Sequence, residues 1–254
     1  EKGGKYDAAD LATTFQDRAG LTAVSGMEQR VGKWLDTSGN GLHLTAPSDG
    51  ARPTITARIN DVLGTTTLTG AGWLKSAMDI STGAADPDGG STALTIKATG
   101  GGSYLQFGYG SVTRSSRVWL RKRSGTGFLQ YYVSGYITFE GLSSTWQEFT
   151  YTGNGYFGFY SMTSGDEVDV CHPDVRDPVF DSCPPYQEVL SDTDYDASGF
   201  PVRLKFSGAQ SMSTAACDMT GTDVMTVAAG AQKQADATQV LVEFGANPGS
   251  DVGS

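Results

Sequence analysis

The sequence predicts an all-β protein built from antiparallel β-sandwich and jelly-roll elements. Three observations favour this class. Glycine makes up 34 of the 254 residues, and short runs of Val, Tyr, Phe and Thr recur between turns rich in Gly, Asn, Ser and Asp. No window sustains the 3.6-residue apolar period of an amphipathic helix. Alternating runs bounded by turn residues are typical of half-buried strands, so we expect little helix.

The first predicted strand–turn–strand lies in residues 31–53. Trp34 leads into the polar turn 36–41, and the alternation of apolar and polar residues resumes at Leu42 and Leu44. Asp, Ser and Asn side chains hydrogen-bond to their own backbone in such turns, and Gly supplies positive φ. The segment therefore predicts two antiparallel strands joined by a tight turn.

The same turn carries oxygen atoms at alternate positions. Asp36, Ser38 and Asn40 stand at i, i+2 and i+4 in a loop that contains glycine, an arrangement that suits a calcium ion. A turn held by its own side-chain hydrogen bonds needs no metal. The sequence therefore requires no cofactor and leaves calcium as an option.

Alternation also predicts the face that each side chain of a later run occupies. In residues 156–160, it places Phe157 and Phe159 in the core and Tyr156 and Tyr160 on the opposite face. Successive side chains of a strand point to opposite sides of the sheet, so the two tyrosines share a surface.

A basic run surrounds Trp119. Val118 and Leu120 can fill the core and leave the Trp119 ring beside Arg117 and Arg121. A solvated strand face, a contact for an anionic glycan and a contact for an acidic neighbouring subunit remain open interpretations of this run.

Charge, hydropathy and cysteine content limit the partners and the compartment. The net charge of −10 and pI near 4.6 argue against nucleic acid, which needs a cationic footprint. The sequence shows no signal peptide and no membrane-spanning apolar run. The odd cysteine count favours a reducing compartment, although a Cys171–Cys183 bridge stays an alternative; the third cysteine is Cys217.

No catalytic pattern stands out, and we predict that the chain is not an enzyme. His43 and His172 are the two histidines, and no C-x-x-C spacing supports a zinc site. Glu167 and Asp169 share a strand face, as paired glycosidase carboxylates could. Cys171 follows at the next position of that face, and the closing strand of a jelly roll is the favoured interpretation.

Residues 1–53 resemble the opening of the concanavalin-A-like (laminin-G-like) sandwich found in bacteriophage tail fibres and other virion proteins. The family's W-x-D-x-S-G-N-G turn is matched by residues 34–41 and its Arg-Pro by residues 52–53. Its Tyr-Asp and Phe-Gln-Asp-x-x-Gly are matched by residues 6–7 and 15–20.

Residues 191–254 resemble the continuation of that sandwich, and this resemblance rests on several short motifs. The chain departs from the family at residues 206–211, where the family has Asp in place of Ser207 and at nearby positions, so a ligand or metal role for that loop does not carry over. We expect the chain to be a fragment of a longer fibre, because the family has further strands. The matching positions are Asp196, Gly199, Pro201, Phe206, Gly221-Thr222-Asp223, Thr226-Val227 and Glu243.

Residues 54–190 resemble a carbohydrate-binding-module-like jelly roll inserted between the two parts. Residues 73–75 match the family's Trp-x-Lys, residues 87–89 its Pro-Asp-Gly and residues 93–96 its apolar strand. Residues 146–149 match its W-Q-x-F strand, and residues 185–187 match its exit. The ends of an insert need only lie near each other at a loop tip.

These resemblances imply a tail-fibre, spike or tail-tip protein that adheres to bacterial surface polysaccharide. They imply other virion proteins and further copies of the chain, a trimer among the options, as partners. The implied location is the virion, after assembly in the host bacterial cytoplasm. A purely structural virion component is the alternative, and a polysaccharide-degrading enzyme is a third.

A sugar site needs exposed aromatic rings on a rigid sheet, because flat rings stack on the apolar faces of sugars. A binder should leave two or more such rings exposed, whereas a structural module should bury them. The candidate glycan-binding residues are Trp119, Tyr131, Tyr109, Gln130 and Arg121.

Overall fold

The computed structural model describes residues 3–126, 128–132, 135–139 and 141–216, of which residues 3–215 form one compact unit. Within these ranges, helix is confined to two 3₁₀ turns, Leu11–Thr13 and Pro178–Phe180. The strands are β1 (Thr14–Phe15), β2 (Lys33–Trp34), β3 (Leu44–Thr45), β4 (Thr54–Thr56), β5 (Trp73–Ser76), β6 (Met78–Ala84), β7 (Ala93–Ala98), β8 (Tyr104–Ser124), β9 (Leu129–Tyr132), β10 (Tyr136–Phe139), β11 (Gln147–Tyr160), β12 (Glu167–Arg176) and β13 (Arg203–Lys205).

All pairings between these described strands are antiparallel, which confirms the all-β prediction. Nothing helical within the described ranges has the length and hydropathy of a membrane span. The expectations for Cys217, residues 221–223, residues 226–227 and Glu243 lie outside the described residues.

Eight strands form a curled jelly-roll sheet in the order β10-β9-β11-β8-β12-β7-β6, and β5 also pairs with β8. The long strands β8 and β11 pair along most of their length. On its other edge, β8 pairs with β5 through its first half and with β12 through its second half. The sheet therefore divides into a front layer (β5, β9, β10 and the adjoining halves of β8 and β11) and a back layer (β6, β7, β12 and the other halves).

A bulge between the halves of β8 lets both layers face one core. Leu105 and Phe107 in the first half are buried, and so are Val118 and Leu120 in the second half. The inward positions thus change from odd to even numbers along one strand. The register of β8 with β11 shifts around Gly155, whose φ is +104°. Glycine adopts this conformation without strain, and bulges bend the strand that contains them.

The main core lies between the two layers and is rich in aromatic rings. Tyr131 is fully buried there, and its ring lies 5.4–6.1 Å from the rings of Phe139, Tyr151, Phe157 and Phe159. The expectation that Tyr131 offers an exposed ring to a sugar is therefore wrong. The inward placement of Phe157 and Phe159 is confirmed.

A buried polar network joins the two ends of the predicted insert. The Gln187 side chain accepts hydrogen bonds from the backbone N–H groups of Ile59 at 2.7 Å and Asn60 at 3.0 Å. It donates to the carbonyl oxygens of Ala57 at 3.0 Å and Asp196 at 2.9 Å. Buried polar backbone groups need such partners, so Gln187 fixes where the chain enters and leaves the jelly roll.

Two small sheets flank the jelly roll within the described residues. One has the order β1-β2-β3, and the other pairs β4 with β13. Val31 and Ile55 are fully buried beside them, and Val202 and Leu204 pack against the same cluster. Residues 54–56 thus share a sheet with residues 203–205. The domain boundaries at 53/54 and 190/191 stay a prediction.

Candidate functional site

The outer surface of the front layer carries a cluster of five tyrosines, which we call the tyrosine face. Phe157 and Phe159 point into the core, so their neighbours on β11 point outward, as the alternation predicts. The outward positions of β8, β9 and β10 contribute the other rings. The tyrosine face consists of Tyr104, Tyr132, Tyr136, Tyr156 and Tyr160.

The rings form one connected network. The Tyr132 ring lies 5.1 Å from Tyr136, 5.7 Å from Tyr156 and 5.9 Å from Tyr160. Tyr160 lies 5.3 Å from Tyr136 and stacks on Tyr104 at 6.1 Å with 24° between the ring planes. Most of these contacts are edge-to-face, the arrangement that aromatic rings prefer. The rings therefore hold one another in position before any ligand arrives.

Two of the rings remain open to solvent. Tyr136 is 59% exposed and Tyr156 is 40% exposed, whereas Tyr104, Tyr132 and Tyr160 are half-buried. Burial, and then the neighbouring tyrosines, raise the pKa of Tyr160 well above its usual value. The phenol of Tyr160 consequently stays neutral throughout the physiological pH range and can donate or accept a hydrogen bond.

Glycine at position 158 forms the floor between these rings. A Cβ there would lie 2.8 Å from the carbonyl oxygen of Leu105 and 2.9 Å from Cβ of Gln106. Neither distance leaves room for a side chain, so the close approach of β11 to β8 requires glycine. The surface of the front layer is therefore recessed at Gly158, and the tyrosine rings project above it on the surrounding positions.

Amide and hydroxyl groups lie beside the rings. The Tyr160 hydroxyl donates to Oε1 of Gln106. Oε1 of Gln130 accepts a hydrogen bond from Oγ of Ser161 at 2.8 Å, and Nε2 of Gln130 lies 3.5 Å from Oγ1 of Thr138. Gln130, predicted as a candidate residue, thus stands at the border of the tyrosine face.

The other predicted candidates lie elsewhere. Tyr109 is half-buried and packs against the main core, and this burial raises its pKa to about 12. Trp119 is half-buried on the back layer in a cluster with Trp146. The Arg121 guanidinium lies over the Trp146 ring, 4.7 Å from its centroid. The structure does not bring Trp119 and Arg121 together with the tyrosine face.

The polar turn is held by its own hydrogen bonds. The Asp36 carboxylate accepts from the backbone N–H groups of Lys5, Ser38 and Leu42 at 2.8–3.0 Å and from the Ser38 hydroxyl at 2.8 Å. Burial alone would raise the pKa of Asp36, but these hydrogen bonds outweigh it and lower the pKa. Asn40 donates to Oγ of Ser38 at 3.1 Å. Calcium at Asp36, Ser38 and Asn40 stays a prediction.

The two acidic residues on one strand face are each engaged with cations. Oδ2 of Asp169 accepts from Nε of Arg121 at 2.8 Å. Oε1 of Glu167 lies 3.0 Å from Nζ of Lys97. Asp169 is only 1% exposed, which gives a substrate little access to its carboxylate.

A cavity of about 400 Å³ lies beside His172, apart from the tyrosine face. The His172 ring stacks on the Tyr186 ring with centroids 4.4 Å apart. The backbone of His172 has a φ of +52°. Burial raises the pKa of the neighbouring Cys171 thiol to about 11, so this group is not a thiolate nucleophile. Cys171 and Cys183 are both free thiols, and no cluster of three or more His, Cys, Asp or Glu residues that could hold a metal ion occurs among the described residues.

Asp86 at the rim of this cavity closes a turn. Its carboxylate accepts hydrogen bonds from N and Oγ1 of Thr92 at 3.0 and 2.8 Å, from Gly90 N at 2.7 Å and from Asp88 N at 3.0 Å. The Thr92 bonds, and then those from Gly90 and Asp88, lower the pKa of Asp86 from 3.8 to about 2.

An Asp86→Asn variant is expected to lose stability at neutral pH and to be less sensitive to acid. A carboxylate with a lowered pKa in the folded state stabilises the fold above pH 4, and this contribution disappears as the pH falls toward 2. Urea midpoints measured between pH 2 and 7 check this, with the exposed Asp192→Asn as the matched control. Parallel pH profiles for Asp86→Asn and the wild type would contradict it.

Three members of the tyrosine face were not predicted from the sequence as site residues. Tyr104, Tyr132 and Tyr136 lie on three strands, and their rings meet only through the register of β8, β9, β10 and β11. The available signal was the alternation around Leu105 and Leu129: with these leucines inward, their neighbours Tyr104 and Gln130, and then Tyr132, point outward.

No protein-family model and no curated protein sequence matches the chain. Solved structures show weak similarity. The xylan-binding CBM22-1 domain of Paenibacillus barcinonensis Xyn10C aligns at 11% identity over 48% of this chain and 97% of that one, with a TM-score of 0.35. A carbohydrate-binding module from Cellvibrio mixtus lichenase 5A, in complex with cellotriose, aligns at 14% identity over 47% of this chain and 98% of that one, with a TM-score of 0.30.

An arabinose-bound GH51 α-L-arabinofuranosidase also aligns, at 12% identity over 59% of this chain, with a TM-score of 0.36. The aligned part spans 29% of that enzyme. Similarity at these levels does not establish a function, so the case for one rests on the geometry of the chain itself.

Proposed function

We propose that the chain is a glycan-binding protein whose tyrosine face holds a neutral polysaccharide. The observation that carries the proposal is the network of five rings, with Tyr136 and Tyr156 still open to solvent. Flat aromatic rings bind the apolar faces of sugar rings, and rings already held in place lose little conformational entropy on binding.

The polar groups beside the rings support a neutral ligand. Gln106, Gln130 and Thr138 offer amide and hydroxyl groups suited to sugar hydroxyls. The outward residues of β9, β10 and the front halves of β8 and β11 include no Asp, Glu, Lys or Arg within the described part. These strands therefore offer no countercharge to a charged sugar.

We further propose that the chain belongs to the particle of a tailed bacteriophage and serves there as an adhesin for host surface polysaccharide. Its support is the resemblance of residues 6–24 and 31–53 to virion proteins. Many copies on one particle would raise avidity by roughly 10² or more over a single weak site. Other virion proteins and further copies of the chain are the proposed partners, and the proposed role is non-enzymatic. Detection of the chain in purified particles by mass spectrometry tests the location.

A purely structural virion role is the second candidate. The tyrosine face argues for binding, because a structural module should bury its rings within or between chains. One experiment distinguishes the two functions, because only a glycan-binding protein loses affinity for a free glycan when these rings are removed.

Tyr136→Ala and Tyr156→Ala are each expected to weaken glycan binding about tenfold or more. Burial of a large apolar side chain contributes about 1.5–3 kcal/mol, and 1.4 kcal/mol corresponds to a factor of ten. Calorimetry of the full chain against xylan, β-glucan and bacterial surface polysaccharide fragments gives the affinities. Phe206→Ala is the matched control, because that ring is 49% exposed but lies outside the tyrosine face. Equal affinity in all four proteins, or no binding even with multivalent display, would contradict the proposal.

A further inference from the structure

A second polar surface lies on the outer side of the back layer, where β6 and β8 end and β12 begins. An open depression of about 430 Å³ is lined there by Gly83, Ala84, Arg121, Lys122, Arg123 and Asp169, among others. The strand β6 bulges at Gly83, and its register with β7 shifts between Thr82 and Ala84. Small residues thus make one side of the depression, and cationic side chains make the other. We call it the arginine depression.

The charges of this region are unequal. Asp169 is the one carboxylate among the described residues that line the depression. It accepts from Nε of Arg121 at 2.8 Å, and nearby Glu167 lies 3.0 Å from Nζ of Lys97. These two pairs compensate both carboxylates. Arg123 and Lys122 therefore remain as surplus cations in a chain whose net charge is −10.

Arg123 is loosely held. Its side chain is 51% exposed, and its nitrogens lie 3.5 Å from Asp169 and 3.6 Å from Glu167, beyond ordinary hydrogen-bond contact distances for charged groups. Its short contact is a bond from Nη1 to Oγ1 of Thr95 at 3.1 Å. Arg123 thus forms only long ion pairs with two carboxylates that Arg121 and Lys97 hold more closely, so its guanidinium can also bind an incoming anion.

Arg121 is held in one orientation. Its Nε is bound to Asp169, and its guanidinium carbon lies over the Trp146 ring. Neither Nη atom of Arg121 has a hydrogen-bond partner among the described residues. A guanidinium fixed in this way presents unpaired N–H donors in the fork geometry that matches a carboxylate.

We infer that the arginine depression is a second binding site, for the carboxylate of an acidic polysaccharide. Arg121 and Arg123 bind the carboxylate, and the surface at Gly83, Ala84 and Ala85 leaves room for the sugar ring that bears it. A saccharide with one charge per ring suits this site better than nucleic acid, because the negative chain repels a polyanion of high charge density. This site is separate from the tyrosine face and does not depend on the function proposed for it.

The test is calorimetry of the full chain with oligogalacturonate and, separately, with its methyl ester. We expect the acid form to bind, binding to weaken with added salt, and the uncharged ester not to bind. Arg123→Gln is expected to weaken binding about tenfold, as charge-assisted hydrogen bonds of this kind imply. Lys205→Gln, which removes an exposed cation elsewhere, is the matched control. Arg121→Lys keeps the charge beside Asp169, and with it the fold, but should weaken binding through the loss of the fork.

Each contrary outcome has a distinct meaning. Binding of the ester as tight as that of the acid would overturn a carboxylate site. Unchanged affinity in Arg123→Gln would overturn its location, and so would a loss in Tyr156→Ala that equals the loss in Arg123→Gln. Failure to bind oligogalacturonate, with neutral-glycan binding retained, would remove this inference and leave the tyrosine face untouched.

Discussion

An Asn60→Ala protein is expected to lose a large part of its stability. The Asn60 side chain is fully buried and makes four hydrogen bonds. Nδ2 donates to the carbonyl oxygens of Pro173 at 3.0 Å and Gln187 at 2.9 Å, and Oδ1 accepts from the N–H groups of Val62 at 3.1 Å and Val175 at 3.0 Å. Alanine leaves all four backbone groups buried without partners.

Each unsatisfied buried group costs about 1–3 kcal/mol, so the loss is about 4 kcal/mol or more. A domain of this kind has a total stability of about 5–15 kcal/mol. Urea unfolding followed by circular dichroism measures the difference. Gln29→Ala is the matched amide control, because its hydrogen bonds to Ser25 are exposed to solvent and should matter little. A stability loss in Asn60→Ala no larger than in Gln29→Ala would show that this network does not hold the jelly roll.

Tyr131→Ala is expected to destabilise the fold by about 3–5 kcal/mol, the usual effect of deleting a large buried ring. Tyr131 fills the centre of the core and contacts Phe139, Tyr151, Phe157 and Phe159. Any loss of glycan binding in this variant would follow from unfolding, not from a missing sugar contact.

Two companion variants separate the core role of Tyr131 from a surface role. Tyr131→Phe keeps the ring and its contacts, so it should retain the fold. Tyr136→Ala removes an exposed ring and should leave the unfolding midpoint almost unchanged. A Tyr131→Ala protein that is as stable as Tyr136→Ala, yet fails to bind glycan, would return Tyr131 to the binding surface.

Strand alternation in the sequence was enough to predict part of the core and part of the site. It placed Phe157 and Phe159 inside, opposite Tyr156, and it placed Val118 and Leu120 inside, opposite Trp119. Each of these runs alternates without interruption over the residues concerned. A period of two then leaves only one assignment of faces.

Strand alternation did not predict the burial of residues where two aromatics are adjacent or where a bulge interrupts the strand. Tyr131 and Tyr132 are adjacent aromatics, so alternation alone does not say which of them is buried. Tyr109 lies within the bulge of β8, where the inward positions change from odd to even. A bulge adds a residue to one strand and reverses the faces beyond it, and nothing local in the sequence marks where that happens.

The cluster itself could not be predicted, because it depends on pairing between distant strands. Tyr104 and Tyr160 meet through the register of β8 with β11, across more than fifty residues of sequence. Tyr136 joins them through the pairing of β10 with β9 and of β9 with β11. Single strands carry at most two of these rings, which is too few to distinguish a binding surface from ordinary core packing.

The most direct test of the tyrosine face is an NMR titration that follows the tyrosine ring signals of the full chain as a neutral oligosaccharide is added. We expect the signals of Tyr136 and Tyr156 to shift most, those of Tyr132 and Tyr160 to follow, and that of buried Tyr131 to change little. Saturable shifts confined to tyrosines outside this face, or ring signals that do not move while the oligosaccharide binds, would contradict the assignment of the site.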